Sequence, residues 1–295
     1  MSMPLLIAGG RHDPNLSLLC DACRLLDIPL TEVRHDKGKS PTFEWDLATG
    51  EARIDGALCR PAGAFIRHDV FEGLSDPRAE VGARALAWHQ AVHGWLLVNC
   101  SVRMLNRAPT SISLSKPATL IAARAAGLMI AGTLVSNVES SIRSAALEGN
   151  VSKPVAGGDY CYELTEAIER TEFRDGAASC PGFIQQRLVS PEVRIYVIGD
   201  ETFAFEMRSP SLDYRLRQDA QVIPLKTVPD VAVGLRTLMK SLKMDYGAAD
   251  FKTNGETGKL VFLELNSSPM FARFDLECGG QLSRAIVTTL LKPTA

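Results

Sequence analysis

The sequence predicts an α/β protein, and three patterns lead to this prediction. Short apolar runs at residues 4–8 and 29–33 stand on either side of a helical pattern over residues 16–26. A second helical pattern begins at residue 115 and is followed by several strand-like runs. A hairpin pattern then covers residues 246–266. Because a strand–helix–strand opening is typical of a parallel sheet, we expect mixed α/β layers and not an all-β protein.

Length, charge and hydrophobic content limit the possible classes of protein. The chain has 295 residues, is 46% hydrophobic and carries a formal net charge of −2. This length suggests two domains, and the mixed charges give no basic stripe for nucleic acid. No apolar run approaches the ~20 residues that cross a membrane. The start of the chain lacks the basic region of a signal peptide, so we expect a cytoplasmic protein.

The seven cysteines form no disulfide framework. Cys20 and Cys23 make a CxxC pair on the first predicted helix, next to Leu16 and Leu19 on the same apolar face. Two interpretations are open, a pair of core thiols or a redox pair. We favour core thiols, because a buried cysteine behaves as a small apolar residue.

The rest of the first third predicts a hairpin around residues 49–50, a strand at 64–67 and a long helix over 78–97. His89 and His93 share one face of that helix but lack the Glu of a zinc protease motif, so a structural role is favoured. Arg67, His68 and Asp69 stand at a strand end. They either contact a substrate or form a local ion pair.

The pattern that begins at Ser115 predicts a helix with Ser115 as its N-cap, Pro117 in its first turn and Gly127 at its end. A strand carrying Lys153 precedes a loop with two glycines at residues 157–158. Three strand-like runs over 181–209, a helix over 231–244 and a last helix over 281–291 complete the prediction.

Polar residues on the hairpin near the C-terminus suggest a metal site. Glu264 and Asn266 are two apart and therefore point to the same face of a strand. Two adjacent antiparallel strands would place Asp250 beside Glu264. Two carboxylates and one amide oxygen suit Mg²⁺, which often keeps phosphate oxygens among its other ligands. Two solvated carboxylates are the alternative, but their apolar neighbours argue against full exposure.

A phosphate substrate calls for cations, and two lysines are candidates. Lys153 lies in a strand pattern, where lysine is uncommon, and Lys116 lies near a helix start. The chain contains neither the Walker sequence GxxxxGK[ST] nor a GxGxxG after a strand, so a P-loop is excluded.

Five short motifs in order resemble the ATP-grasp superfamily. They are SKP at 115–117, SKP at 152–154, IQQRLVSPE at 184–192, GAADF at 247–251 and LELN at 263–266. Their order resembles RimK-like ligases and covers the chain from about residue 99 to the end. The opening, with HDPN, EWDLATGEARIDG and AFIRHDVF, resembles the pre-ATP-grasp domain of microviridin-type (graspetide) peptide ligases.

The resemblance implies a role for each matching residue. It implies phosphate contacts for Lys116 and Lys153. It implies an adenine-binding hinge at Gln185, Gln186 and Leu188, and it implies that Glu192 is the acid that binds the ribose hydroxyls. It implies Mg²⁺ ligation by Asp250, Glu264 and Asn266, and cations facing the γ-phosphate and an acyl phosphate at Arg208 and Arg215. The substrate candidates are Arg67 and Asp213.

The resemblance also implies a fold and an activity. We expect a Rossmann-like pre-ATP-grasp domain over 1–100 and an ATP-grasp domain over 101–295, with a lid lobe at about 129–187. The expected activity is ATP- and Mg²⁺-dependent carboxylate–amine ligation through an acyl phosphate, with two metal ions and Mn²⁺ as a substitute. A peptide macrocyclase and a non-catalytic ATP-binding module are the alternatives. The expected partners are a carboxylate substrate and an amine acceptor, and a homodimer is open.

Residues 267–271, SSPMF, depart from the Pro-x-Gly-Gln-Trp pattern of many microviridin-type enzymes. The hinge also departs from the family, because Gln185 and Gln186 stand where an acid or a lysine is common. The adenine contact at this hinge could therefore use side-chain amides.

Overall fold

The computed structural model describes residues 3–156, 160–213 and 219–292. Its α-helices are α1 (Pro14–Leu25), α2 (Phe71–Ser75), α3 (Ala79–Val98), α4 (Lys116–Ala125), α5 (Glu139–Ala146), α6 (Leu164–Glu169), α7 (Val231–Ser241), α8 (Ala272–Glu277) and α9 (Gln281–Leu290). Its strands are β1 (Leu5–Gly10), β2 (Leu30–His35), β3 (Phe43–Trp45), β4 (Ala52–Ile54), β5 (Ala57–Leu58), β6 (Gly63–Ile66), β7 (Arg103–Met104), β8 (Thr133–Val138), β9 (Val151–Pro154), β10 (Tyr162–Glu163), β11 (Phe173–Arg174), β12 (Ala177–Gln185), β13 (Val189–Ile198), β14 (Glu201–Arg208), β15 (Gln221–Pro224), β16 (Tyr246–Thr253) and β17 (Leu260–Asn266).

The chain divides into two compact units. The first contains Met1–Arg107, Ile198–Glu201 and Ser268–Ala295, and the second contains Ala108–Val197 and Thr202–Ser267. The end of the chain belongs to the first unit because α9 packs on α1 and on β6. The predicted domains at 1–100 and 101–295 stay a prediction.

The first unit is built on a four-stranded parallel sheet in the order β2-β1-β6-β7. Alternate residues of β1 point to opposite faces. On one face, Leu6 and Ala8 share an apolar core with Trp95 and Leu96 of α3. On the other face lie α1 and α9, and the Leu290 carbonyl is so close to Gly63 that a Cβ there would come within 2.4 Å of it. The predicted strand–helix–strand opening is confirmed.

The predicted hairpin around residues 49–50 is also confirmed, as β3 and β4 pair antiparallel and β5 extends them to three strands. Gly50 has φ +76°, a left-handed conformation that glycine adopts without strain. Phe43 of β3 contacts Trp95 edge-on at 6.2 Å between ring centroids, which connects this small sheet to the α3 side of the parallel sheet.

The cysteine pair of α1 belongs to the core. Cys20 and Cys23 are almost fully buried, and both are free thiols. Burial raises the pKa of Cys20 to about 12 and the pKa of Cys23 to about 11. Because the thiolate is the reactive form, these values favour core thiols over a redox pair.

The described residues of the second unit form two five-stranded sheets. In one, β8 and β9 flank β12 in antiparallel pairing, β10 pairs with β9, and β11 pairs with the start of β12. Helices α5 and α6 cover it through a small core made by Ile142, Leu164 and Ile184.

The other sheet of the second unit has the order β15-β14-β13-β16-β17. Helices α4 and α7 contribute Leu120, Leu235 and Leu238 to a core that continues to Phe251 and Phe262 on β16 and β17. Ser115 caps α4 as predicted, since its side chain accepts a hydrogen bond from the Ala118 amide. In the described part of the chain, no helix is both long and apolar enough to span a membrane.

Candidate functional site

The hairpin of β16 and β17 brings together the predicted metal ligands. Asp250 and Glu264 are directly opposite each other in the antiparallel register, and a register shift follows between Asp250 and Phe251. Asn266 pairs with Ala248 at the end of β17, two residues beyond Glu264. The predicted cross-strand arrangement of these three side chains is therefore present within the second unit.

Asp250 is held by an arginine of the neighbouring strand. Arg194 of β13 donates from Nε to Oδ1 of Asp250 at 2.6 Å and from its terminal nitrogen to Oδ2 at 2.7 Å. The side chains are 13% and 6% exposed. A two-fold contact between guanidinium and carboxylate is among the strongest hydrogen-bonded pairs in proteins, so it orients Asp250 firmly.

Glu264 is held by the lysine at the start of α4. Lys116 Nζ lies 2.9 Å from Oε2 of Glu264, and the Asn266 amide nitrogen lies 3.4 Å from Oε1. Burial alone would raise the pKa of Glu264, but the charges of Lys116, Lys153 and Arg194 lower it below its usual value. The carboxylate is therefore ionised at neutral pH, the form that binds a cation.

Lys153 lies on a strand, β9, as predicted, and the structure places it opposite Phe183 of β12. Its Nζ is 5.4 Å from the centroid of the Phe183 ring, within the range of a cation–π contact. Burial lowers the pKa of Lys153, while the charge of Glu264 opposes that shift. An ammonium in this position gains from any added negative charge, so a phosphate group would be a suitable ligand.

The donor set at the hairpin fits Mg²⁺. It consists of two carboxylates and one amide oxygen, which are the oxygen ligands that hard cations take. Each carboxylate oxygen has more than one acceptor position, so the contacts with Arg194 and Lys116 leave room for a further partner. Among the described residues no group of three His, Cys, Asp or Glu could hold a metal, and the candidate set contains only two carboxylates.

The predicted hinge lies between β12 and β13. Gln185 is buried and donates from its side-chain amide to the Thr133 hydroxyl at 2.8 Å. The amide of Gln186 donates to the Gly132 carbonyl at 2.9 Å. Leu188 is buried with Val261 in a small apolar cluster. The backbone amide of Gln186 is thus engaged, which leaves its carbonyl and its exposed side chain as groups that could contact a base.

Glu192 borders a cavity of about 170 Å³ whose wall includes Leu188, Met207 and Lys252. Burial first, and then the charge of Asp250, raise the pKa of Glu192 to about 7. Lys252 opposes this shift, with its Nζ 4.0 Å from Oε2 of Glu192. A carboxyl group that borders a cavity of mixed polar and apolar lining can accept hydrogen bonds from ligand hydroxyls.

The two predicted catalytic arginines are not brought to the hairpin by described contacts. Arg208 is 63% exposed and pairs with Glu206 of the same strand. In the described residues it has no contact with Asp250 or Glu264. Arg215 lies outside the described residues, as do the two glycines at 157–158.

The two substrate candidates have partners within their own units. Asp213 is buried and accepts from the Cys161 amide at 3.0 Å. Arg67 contacts Asp13 at 2.9 Å, and the two side chains are 5% and 0% exposed. Arg67 also donates to the carbonyls of Ser268 and Pro269 at 3.1 and 2.8 Å. Arg67 is thus engaged by a distant partner, Asp13, 54 positions away, and not by an ion pair within residues 67–69.

His89 and His93 stack with ring centroids 5.1 Å apart. Burial, and then the charges of His93 and His68, lower the pKa of His89 to about 4. A neutral, stacked pair in a helix of the first unit agrees with the structural interpretation.

Two site residues, Arg194 and Lys252, were absent from the sequence prediction. Arg194 stands two residues after Glu192 and inside the apolar run 193–198. A charged residue in such a run requires a buried partner, which is the signal that could have identified it. Lys252 stands two residues after Asp250, so on a strand both side chains point to the same face. That placement beside a predicted metal ligand is the signal that could have identified Lys252.

No family model matches the chain, and no curated protein matches it. Solved structures do match. The ATP-grasp ligase PsnB, in complex with minimal precursor, Mg and ADP, has 21% identity and a TM-score of 0.73, with 98% of each chain covered. Macrocyclase MdnC from Microcystis aeruginosa MRC, bound with precursor peptide MdnA, has 20% identity and a TM-score of 0.71 over 99% of this chain and 100% of that chain.

A third similar structure is the VanG D-Ala:D-Ser ligase from Enterococcus faecalis. It has 12% identity and a TM-score of 0.63, with 98% of this chain and 99% of that chain covered. Identities of this size establish the fold alone. The chain therefore has the fold of the ATP-grasp ligases over nearly its whole length.

Proposed function

We propose that the chain is an ATP- and Mg²⁺-dependent ligase that joins a carboxylate to an amine and releases ADP and phosphate. One observation carries this proposal. Within the second unit, the Asp250–Glu264 pair lies among the cations Lys116, Lys153 and Arg194. Such a cluster suits a polyphosphate with its metal, because each cation then faces additional negative charge.

Each residue has a part in the proposed reaction. Lys116 and Lys153 bind phosphate oxygens, and Glu192 accepts from the ribose hydroxyls. Asp250, Glu264 and Asn266 would hold Mg²⁺, which supplies charge neutralisation on the phosphates when bound. The hinge at 185–188 borders adenine. The resemblance assigns the γ-phosphate and the acyl phosphate to Arg208 and Arg215, and these two roles stay a proposal that no described contact supports.

The chemistry balances with ADP as product. The substrate carboxylate oxygen attacks the γ-phosphorus of ATP, the bond to the bridging oxygen breaks, and ADP leaves. The amine then attacks the acyl carbon, and phosphate leaves with the former carboxylate oxygen. Water must be kept out during this time, and the proposed lid lobe at about 129–187 serves this purpose.

A second candidate function is peptide macrocyclisation, with ester or amide crosslinks on a precursor peptide. This candidate is supported by the similarity to PsnB in complex with a minimal precursor and to MdnC bound with precursor peptide MdnA. Each of these structures matches this chain over nearly the full length of the two chains compared. A gene for a short peptide with acidic repeats beside this one would support it. Loss of one water per crosslink from that peptide, measured by mass spectrometry, tests it directly.

Several finer assignments belong to the same proposal. They are a RimK-like subclass, a cytoplasmic location and partners other than nucleic acid or membrane, with a homodimer still open. The seven free cysteines are compatible with a reducing compartment.

Product analysis tests the proposed function. The protein is incubated with ATP, Mg²⁺ and a panel of amino acids and short acidic peptides, and the nucleotides are resolved. ADP that depends on a carboxylate substrate is expected. Glu264→Gln should remain folded, with some loss of stability from the missing charge, and should lose the product. AMP would overturn the mechanism, and ADP without any need for a carboxylate would indicate an uncoupled ATPase or a kinase.

A further inference from the structure

Lys252 joins two parts of the cavity beside Glu192. Its side chain is largely buried, and its Nζ donates to the Leu212 carbonyl at 3.2 Å. The same Nζ lies 4.0 Å from the Glu192 carboxylate. A buried ammonium needs such acceptors, so one cation lies between the carboxylate on β13 and residues 209–212, which line the cavity.

The residue after Leu212 is Asp213, and it is connected to the sheet of the second unit that contains β9 and β10. Asp213 accepts from the backbone amide of Cys161, the residue before β10. Leu212 is therefore connected to β16 through Lys252, and Asp213 is connected to the sheet of β9 and β10. These two neighbouring residues form a link between the two sheets.

The start of the segment has its own anchor. Ser209 and Ser211 both donate to the carboxylate of Asp219, at 2.6 and 2.7 Å. Ser209, Ser211 and Leu212 also line the cavity. Among the described residues, the position of residues 209–213 depends on contacts with Asp219, Lys252 and Cys161, and the contact through Lys252 extends to Glu192.

We propose that Lys252 is a positioning residue that connects nucleotide binding at Glu192 to residues 209–213 and, through Asp213, to Cys161, the residue before β10. The inference rests on the proposed nucleotide site. When a ligand binds to Glu192, the surroundings of the Lys252 ammonium change. The ammonium keeps its hydrogen bond to the Leu212 carbonyl. Nucleotide binding and order in the two segments then stabilise each other, because coupling between two sites is reciprocal.

Hydrogen–deuterium exchange with and without Mg·ADP tests this inference. In the wild-type protein, ADP should increase protection in peptides covering 160–163 and 209–213. Lys252→Met should still bind ADP, measured by calorimetry. Its ADP-dependent increase in protection should be smaller than that of the wild type by roughly five-fold or more. Lys252→Arg should restore it. Lys259→Met, with an exposed lysine on the same hairpin, is the matched control and should behave as the wild type.

Asp213→Ala gives a second signature that general destabilisation would not produce. It should keep the ADP-dependent protection at 209–212 and lose it at 160–163. Wild-type protection in Lys252→Met with ADP bound would overturn the inference, as would protection at 160–163 that persists in Asp213→Ala. Failure of the wild-type protein to bind ADP would overturn the proposed nucleotide site and this inference with it.

Discussion

Replacing Arg194 by methionine should leave the Asp250 carboxylate buried and without its two-fold partner. The pair is 13% and 6% exposed, with contacts of 2.6 and 2.7 Å. Loss of one member of such a buried pair costs about 3–5 kcal/mol, because the remaining charge is uncompensated. For a protein part of about 150–250 residues, about 3 kcal/mol corresponds to roughly 6–12 °C in melting temperature.

Arg187→Met is the matched control for this prediction. Arg187 pairs with Glu163 at 2.8 Å in the same unit, but the side chains are 56% and 34% exposed. Exposed pairs contribute at most about 1 kcal/mol. Scanning calorimetry of both variants at neutral pH provides the comparison. If the melting temperature of Arg194→Met is no lower than that of Arg187→Met, the buried ion pair does not hold Asp250 as described.

Two further predictions concern Glu192 and Arg67. Burial, followed by the charge of Asp250, raises the pKa of Glu192 from 4.5 to about 7, so its ionisation destabilises the folded state as pH rises through this range. Glu192→Gln should therefore have a larger free energy of unfolding than the wild type at pH 8, by up to about 3 kcal/mol. This gain should vanish as pH falls towards 4.5. Urea unfolding measures the difference, and a difference that does not depend on pH would refute the prediction. Arg67→Met breaks the buried pair with Asp13 and should cost about 3–5 kcal/mol in the same assay, against about 1 kcal/mol or less for exposed Arg24→Met. Equal losses in the two variants would show that Arg67 is not a structural residue.

The site elements that could be predicted are those set by local patterns. The alternation of residues 246–266 and the turn at Asn254 define the hairpin, and the turn is present with the Asn254 side chain accepting from the amides of Glu256 and Thr257. The N-cap at Ser115 likewise needs only its own sequence. Local hydrogen bonds and side-chain periodicity are sufficient for such features.

The features that could not be predicted depend on pairing between distant residues. Arg194 and Asp250 are 56 positions apart, and Arg67 and Ser268 are 201 positions apart. Periodicity does not state which strand lies beside β16, nor that the end of the chain joins the first unit. Arg67 was considered for a substrate role because it stands at a strand end, and the sequence gives no sign of its buried partners, which lie 54 to 202 positions away.

We propose that the candidate site activates a carboxylate as an acyl phosphate. The most direct test of this proposal uses a substrate carboxylate labelled with ¹⁸O, identified from the panel that gives ADP. The phosphate released should carry one ¹⁸O atom for each product formed, because the carboxylate oxygen leaves with the phosphoryl group. Unlabelled phosphate, or label found in AMP, would contradict the account.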